Sequence, residues 1–288
     1  MKKILALTDF SKNAAHAIEY ALSLAPLWQT EVLTLLHVYE APVIFQPDPS
    51  GGMSPDGAPG LVNYALIAEQ SEALAANSRQ QINAFREQLS TRYSSISITA
   101  EVVEGLLGDV VNERLQSTGS DLVVMGIGEK SGLEKVLIGS NAIKAIEGID
   151  GPLLIVPEQA TDNVPKKIAL ASDLEILSDT NIRQLEQFVM RLPANELQVI
   201  NVNMNPADPV NQERVSAIKA QLHRLNVVTH LQQASNVEAG LEEFVIQHQI
   251  SLLVFLHHER SFLGQLFHKS IGKQIAWHTR IPILRLKG

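Results

Sequence analysis

The chain alternates between short apolar runs, which predict buried strands, and stretches whose apolar residues recur at helical spacing. Between the apolar runs at 3–8 and 31–38, such a stretch has one apolar face: Ala14, Ala17, Ile18, Ala21, Leu22 and Ala25. Ser11 precedes it in the position of a helix cap. Further strands are predicted at 96–102, 122–124 and 153–156, and further helices at 61–89 and 110–115. This alternation predicts a parallel sheet wrapped by helices.

The stretch 121–157 combines a buried strand, a glycine-containing loop, a helix and a second buried strand. The loop and the start of its helix contain Gly126, Gly128, Gly132, Gly139, Ser140 and Asn141, and either of the last two is placed to cap the helix. Backbone N–H groups and a helix N-terminus above the end of a parallel sheet favour an anion, typically a phosphate. The glycine spacing fits neither the dinucleotide-binding pattern nor the P-loop. A second interpretation stays open, in which the glycines only allow tight turns.

The pattern then starts again. Residues 166–173 repeat 2–9, and residues 252–286 repeat 122–156. An internal repeat of this length indicates a duplicated domain. We therefore expect two domains, 1–158 and 165–288, which we call the first half and the second half. The apolar pattern lapses between them, which predicts a linker.

Composition limits the classes of partner. The 288 residues include 23 Lys and Arg against 31 Asp and Glu, a formal net charge of −8, with no basic cluster. This balance argues against a nucleic acid or an anionic membrane as the main partner. The absence of cysteine excludes disulfides and suits a reducing cytoplasm, where we expect the protein. The first apolar run is too short for a signal peptide, and no stretch predicts a membrane span.

Several motifs together resemble the universal stress protein family, in a tandem form that takes in both halves. They are Leu7-Thr8-Asp9-Phe10-Ser11, Leu36-His37-Val38, Val103-Glu104-Gly105, Met125-Gly126 with Ser131-Gly132-Leu133 and Gly139-Ser140, and the strand after Pro152. The resemblance implies α/β architecture: two tandem Rossmann-like domains, each a five-stranded parallel sheet with helices on both faces. It also implies that strands 153–156 and 283–286 pair, either as an intramolecular pseudo-dimer or between the chains of a homodimer.

The resemblance further implies an adenine nucleotide, ATP or AMP, as the ligand of the first half. Residues that match or fall within the family's binding pattern are Thr8, Asp9, Val38, Gly126, Glu129, Gly139, Ser140 and Asn141. In the family, the aspartate and the valine contact the adenosine, and the glycines admit the phosphates. Glu129 departs from the pattern, because a glycine is expected there. A carboxylate beside a polyphosphate costs on the order of a few kcal/mol, so Glu129 predicts either no ATP binding or a ligand limited to AMP or an uncharged molecule.

The second half departs further from the pattern. Leu256, Glu259 and Lys269 replace the three glycines, while Asp173 is retained. We expect this half to be a structural partner that has lost the family's ligand. As a hypothesis, Lys269 pairs with Glu259 and closes the site.

Other residues allow two interpretations each. Asp9 is either an adenosine contact or a strand-end carboxylate that caps the next helix. His257-His258-Glu259 lacks the second histidine of a zinc-protease motif, so scattered surface histidines are expected rather than a metal site. The Pro- and Gly-rich stretch 41–60 predicts a loop, interpreted as an insertion rather than a lid.

Two functions of different classes follow. One is a non-enzymatic stress-response protein that binds an adenine nucleotide in its first half and signals through its dimer surface. The alternative is a ligand-free structural or interaction protein with degenerate sites. Weak ATP hydrolysis, known in some relatives, has no recognisable metal-binding or water-activating residues here, so no catalytic residue is predicted.

Overall fold

Ten of the apolar runs become the strands of one continuous sheet in the computed structural model of the chain. The structure describes residues 1–41, 45–46, 61–62, 64–128, 148–161, 164–194, 196–202, 205, 207–257 and 281–287. The first-half elements are β1 (Lys3–Leu7), α1 (Lys12–Trp28), β2 (Val32–Tyr39), β3 (Phe45–Gln46), β4 (Leu61–Val62), α2 (Tyr64–Arg92), β5 (Ser97–Glu104), α3 (Leu107–Thr118), β6 (Leu122–Ile127) and β7 (Leu153–Pro157). Those of the second half are β8 (Ile168–Ala171), α4 (Asp179–Val189), β9 (Leu197–Val202), α5 (Pro209–Gln221), β10 (Val227–Gln232), α6 (Val237–His248), β11 (Leu252–His257) and β12 (Ile283–Lys287).

The strand order is β10-β9-β8-β11-β12-β7-β6-β1-β2-β5. Every neighbouring pair is parallel except β7 with β12 at the centre, which are antiparallel, with Leu284 opposite Leu154. The expected pairing of the two final strands is therefore confirmed, and it occurs within the chain. The α/β class with Rossmann-like sheets is confirmed as well.

The strand registers follow the sequence repeat. Ile4 lies opposite Leu33 in the first half, and Ile168 lies opposite Leu197 in the second. These two pairs keep the offset of 164 residues that the repeat showed. Both halves are thus built to one plan, while the domain limits at 158 and 165 stay a prediction.

Helices cover both faces of the sheet, and side chains alternate between two cores. Ile4 belongs to the core beneath α1, α2, α4 and α5, whereas Leu5 belongs to the core beneath α3 and α6. Each core includes residues from both halves, and Trp28 of α1 lies 4.8 Å from Phe188 of α4, ring centroid to ring centroid. The two sheets therefore share their apolar cores rather than being joined only by a linker.

Arg285 makes the centre of the sheet asymmetric. This fully buried residue occupies the β12 position that Ile155 occupies in β7, and its Nη2 donates to the carbonyl oxygens of Ile149 and Gly151 at 2.6 and 2.8 Å. Burial lowers the pKa of Arg285 to about 10, against an opposing effect from Asp150. The side chain ties β12 to the turn that precedes β7.

Most elements agree with the predictions, with one correction at the start of α2. A helix was expected from Leu61, but Leu61–Val62 form a short strand against Phe45–Gln46 and the helix begins at Tyr64. The helix predicted within the stretch 121–157, whose apolar positions fall at 142–146, lies outside the described residues. Most of the loop 41–60 lies outside them as well. Within the described part of the chain, no helix is long and apolar enough to cross a membrane.

Candidate functional site

A cleft of about 660 Å³ opens at the carboxyl ends of β1, β2 and β6, beside the start of α3. In the sheet, β1 lies between β2 and β6. The chain continues from β1 to β2 and β5 on one side of β1, and then returns to β6 and β7 on the other side. Such a switch point in a parallel sheet is where open α/β folds bind ligands. The described lining comprises Leu7, Thr8, Asp9, Ala14, Leu36, Val38, Tyr39, Glu40, Gly105, Leu106, Leu107, Gly108, Asp109, Met125 and Gly126.

The cleft brings together four of the residues that the sequence selected. Thr8 and Asp9 follow β1, Val38 is near the end of β2, and Gly126 is near the end of β6. The other four selected residues lie outside the described part of the chain: Glu129, Gly139, Ser140 and Asn141. So do Glu259 and Lys269, the proposed ion pair of the second half.

The turn that carries Thr8 and Asp9 is held by its own side chains. Thr8 Oγ1 accepts from the backbone N–H of Phe10, and Asp9 Oδ1 accepts from that of Ser11, both at 3.0 Å. Phe10 adopts a left-handed conformation with φ 63°. Ser11, not Asp9, caps α1, because its hydroxyl accepts from Ala14 N. The Asp9 carboxylate therefore shapes the approach to the helix while its side chain stays exposed.

His37 fixes the same turn from β2. Its Nδ1 lies 2.8 Å from the carbonyl oxygen of Thr8, and since a carbonyl only accepts, Nδ1 is the donor. The imidazole also contacts the Phe10 ring, with centroids 4.5 Å apart. His37 belongs to the Leu36-His37-Val38 motif, but the motif alone predicts no role for it. Its role here is to position the backbone that presents Asp9.

The second half repeats this turn at an offset of 164 residues. Ser172 Oγ accepts from Leu174 N, Asp173 Oδ1 accepts from Glu175 N, and Leu174 has φ 59°. Asn201 takes the place of His37 and donates to the carbonyl of Ser172 at 2.8 Å. The turn thus forms in a half whose loop glycines are replaced. Its geometry follows from the fold and does not depend on those glycines.

Gly126 has a packing reason to be glycine. A Cβ at this position would lie 2.2 Å from the backbone oxygen of Asn13 in α1, and one at Gly128 would overlap the Asn13 side chain. Leu256 occupies the equivalent place in the second half. The first residue of α1, Lys12, corresponds to position 176 in the second half, but α4 begins only at Asp179. The helix therefore starts three residues later in the half that has the larger side chain.

The start of α3 differs between the halves too. Leu106 stands at the cap position and makes no side-chain hydrogen bond, whereas its counterpart Asn236 caps α6 by accepting from Ala239 N at 2.8 Å. Gly105 precedes it with φ +153°, a conformation that disfavours other residues. The first turn of α3 faces the cleft without a side-chain cap.

The charged groups of the described lining are all acidic: Asp9, Glu40 and Asp109. Sequence reasoning missed Glu40 and Asp109: Glu40 directly follows β2, and Asp109 lies in the first turn of α3. Over the described residues, no group of three His, Asp or Glu side chains is arranged to hold a metal ion. The lining is otherwise largely apolar, with Leu7, Leu36 and Met125 among its side chains.

Comparison with known proteins places this fold in a family. The profile of the universal stress protein family matches residues 1–157. Universal stress protein MJ0531 of Methanocaldococcus jannaschii is 28% identical over 155 residues, which cover 54% of this chain and 81% of that protein.

Solved structures extend the fold similarity to both halves. A universal stress protein from Archaeoglobus fulgidus aligns over 99% of this chain and 98% of its own, with a TM-score of 0.66 and 15% identity. A universal stress protein solved in complex with cAMP aligns over 54% of this chain and 96% of its own, at 17% identity, but its TM-score of 0.31 is too low to bear on the ligand here. Because the family profile matches more than half of the residues, the chain belongs to the universal stress protein family.

Proposed function

We propose that this chain is a non-enzymatic stress-response and signalling protein that binds an adenine nucleotide, ATP or AMP, in the cleft of its first half. The observation that carries the proposal is the convergence of Thr8, Asp9, Val38 and Gly126 on one cleft at the switch point of the sheet. These residues come from three separate parts of the sequence.

The size and lining of the cleft support a nucleoside. Its volume of about 660 Å³ falls within the roughly 300–1,000 Å³ typical of small-molecule sites. Val38 and Leu36 offer an apolar wall to a base, and Asp9 offers a carboxylate to hydroxyl groups of a ribose. We place the adenosine against these residues and the phosphate end toward Gly126 and the residues that follow it, Glu129, Gly139, Ser140 and Asn141.

In this proposal the second half, residues 165–288, is a structural partner. Leu256 puts a side chain where the first half has Gly126, and the first-turn N–H groups of α6 receive a cap from Asn236. Both differences reduce the room and the free donors that a phosphate needs. The antiparallel β7–β12 pair makes the two halves a pseudo-dimer, and further association into homodimers belongs to the same proposal.

A ligand-free interaction protein is the second candidate function. It is favoured by the Thr8–Ser11 turn, which has the same hydrogen bonds in the half that lacks the loop glycines, and by Gly126, whose lack of a side chain is accounted for by packing against Asn13. Under this alternative the cleft keeps the position of the family's site but no longer binds its ligand.

A thermal-shift titration separates the two functions. ATP, ADP and AMP, each with and without Mg²⁺, would be added to the wild type and to Glu129→Gly. A ligand that binds only the native state raises Tm by mass action, by the equivalent of about 2.7 kcal/mol at a hundredfold excess over Kd. A rise in the wild type supports the nucleotide proposal, and a rise only in Glu129→Gly identifies a site closed by that carboxylate. No rise in either protein rejects the proposal in favour of the ligand-free alternative.

A further inference from the structure

We propose that an acidic rim, formed by Asp9, Glu40 and Asp109, selects the least charged ligand that the cleft can hold. Adenosine then binds more tightly than AMP, and AMP more tightly than metal-free ATP. This inference rests on the proposed function, since it concerns which adenine compound occupies the same cleft. It does not depend on Glu129.

The three carboxylates reach the cleft from different elements. Asp9 follows β1, Glu40 follows β2, and Asp109 lies in the first turn of α3. None of them forms an ion pair with another described residue, and the described lining contains no Lys, Arg or His. Among the described residues, Asp9 accepts only the backbone N–H of Ser11, which leaves its charge without a cationic partner there. A phosphate entering this cleft therefore meets like charges without a described cation beside them.

The N-terminus of α3 acts in the opposite direction but is weaker. A helix N-terminus carries roughly half a positive charge, and a carboxylate in the first turn complements it. Asp109 already occupies that place in α3. Three full negative charges therefore outweigh the half-charge of this helix N-terminus.

The two stretches that follow β2 and β6 along the chain do not reverse this balance. Residues 42–63 contain two aspartates and no basic residue, and residues 129–147 contain three glutamates and three lysines. Neither stretch brings a net positive charge. The apolar side chains of the lining, among them Leu7, Leu107 and Met125, exclude water from part of the cleft and strengthen the effect of the charges that remain.

Isothermal titration of the full chain in Mg²⁺-free, low-salt buffer tests the inference. We expect Kd to increase from adenosine to AMP to ATP, by about tenfold or more over the series, since like charges a few ångströms apart repel each other by about 1 kcal/mol or more even in water. Raising the ionic strength from about 0.01 M to about 0.15 M screens the repulsion, so the affinity for ATP should rise while that for adenosine changes little.

Neutral variants give a second readout, the ratio of Kd for ATP to Kd for adenosine. Asp109→Asn and Glu40→Gln should each lower this ratio by about threefold to fivefold. Glu113→Gln is the matched control, because Glu113 lies on the same helix, is exposed and pairs with Arg114 outside the cleft. Its ratio should equal that of the wild type.

The outcomes separate this inference from the function on which it rests. Metal-free ATP binding as tightly as adenosine, or ratios unchanged in both cleft variants, overturns the selection by charge and leaves the nucleotide proposal standing. If adenosine, AMP and ATP all fail to bind, both the nucleotide proposal and this inference are overturned.

Discussion

At the scale of single residues, Gly126 shows how a glycine near a ligand site can be required by packing alone. Its Cα hydrogens face the first turn of α1, where a Cβ would come within 2.2 Å of a backbone oxygen. Backbone atoms cannot move aside as the end of a side chain can. Gly126→Ala should therefore lower the free energy of unfolding by about 2 kcal/mol or more in urea denaturation.

Gly108→Ala is the matched control for Gly126→Ala. The Cβ added at Gly108 would lie 3.8 Å from its nearest neighbour, an ordinary contact. Within a helix, alanine is preferred to glycine, so stability should stay the same or rise slightly. Equal losses in the two variants would contradict the packing explanation.

Leu106 offers a residue-scale test of the uncapped start of α3. Its side chain is 58% exposed, so replacing it sacrifices little buried area. Leu106→Asn should copy the cap that Asn236 gives α6 and raise the free energy of unfolding by about 0.5–1 kcal/mol. Asn236→Leu should lower it by about 1 kcal/mol. A Leu106→Asn protein less stable than the wild type would show that the two helix starts are not equivalent.

The sequence predicts those site residues that stand in recognisable motifs. Asp9 and Val38 were found because they follow apolar runs within a family pattern, and both line the cleft. Glu40 and Asp109 line it as well, yet each is an ordinary acidic residue in its local sequence. Only the parallel arrangement of β2, β5 and β1 brings them to one place, and no local pattern encodes that convergence.

At the scale of elements, β10 and α6 carry an aromatic cluster at one edge of the sheet. His230 of β10 contacts the stacked pair Phe244 and His248 of α6, with ring centroids 4.9 and 4.8 Å from its own. Burial lowers the pKa of His230, the nearby His248 lowers it further, and Glu196 opposes both effects. Its Nε2 is buried and has no hydrogen-bond partner among the residues that the structure describes.

The sign of the resulting pH dependence follows from linkage. Because the folded pKa of His230 is below its unfolded value of about 6.5, the unfolded chain binds more protons as the solution is acidified. Stability should fall as pH decreases through and below that value. His230→Phe, which keeps a ring against Phe244, should reduce this loss in urea denaturation compared at pH 7.5 and 5.5. His223→Gln, at an exposed histidine on another element, should leave it unchanged, and an undiminished loss in His230→Phe would refute the assignment.

Strands and helices were the most predictable part of the fold. The period of the apolar residues in α1 identified its buried face, and all six positions on that face are buried. The start of α2 was wrong because Leu61 and Val62 continue the apolar pattern of the helix, while the chain instead uses them to pair with Phe45–Gln46. Periodicity does not distinguish a helical turn from a two-residue strand.

At the scale of the whole molecule, the shared cores predict that the two halves unfold as one unit. Trp28 is fully buried, contacts Phe188 across the halves and accepts a hydrogen bond from Arg191 at its carbonyl. Trp28→Ala should lower the free energy of unfolding by about 3–5 kcal/mol while unfolding stays a single transition by circular dichroism.

Leu27→Ala is the control for Trp28→Ala, since the neighbouring Leu27 is 37% exposed and should cost far less. A transition that splits into two steps in Trp28→Ala, with one step unmoved, would show that the halves unfold independently.

Calorimetric titration of adenosine into a matched pair of variants, Asp9→Ala and Asp173→Ala, tests directly whether the first-half cleft binds the nucleoside. Both remove a carboxylate that accepts a backbone N–H in the same turn, at 3.0 and 3.2 Å, so their structural costs are alike. If the first-half cleft binds the nucleoside, adenosine should bind to the wild type and to Asp173→Ala, and at least about tenfold more weakly to Asp9→Ala, because only Asp9 offers its carboxylate to the ribose. Equal adenosine affinity in the two variants, or loss of binding only in Asp173→Ala, would contradict this assignment.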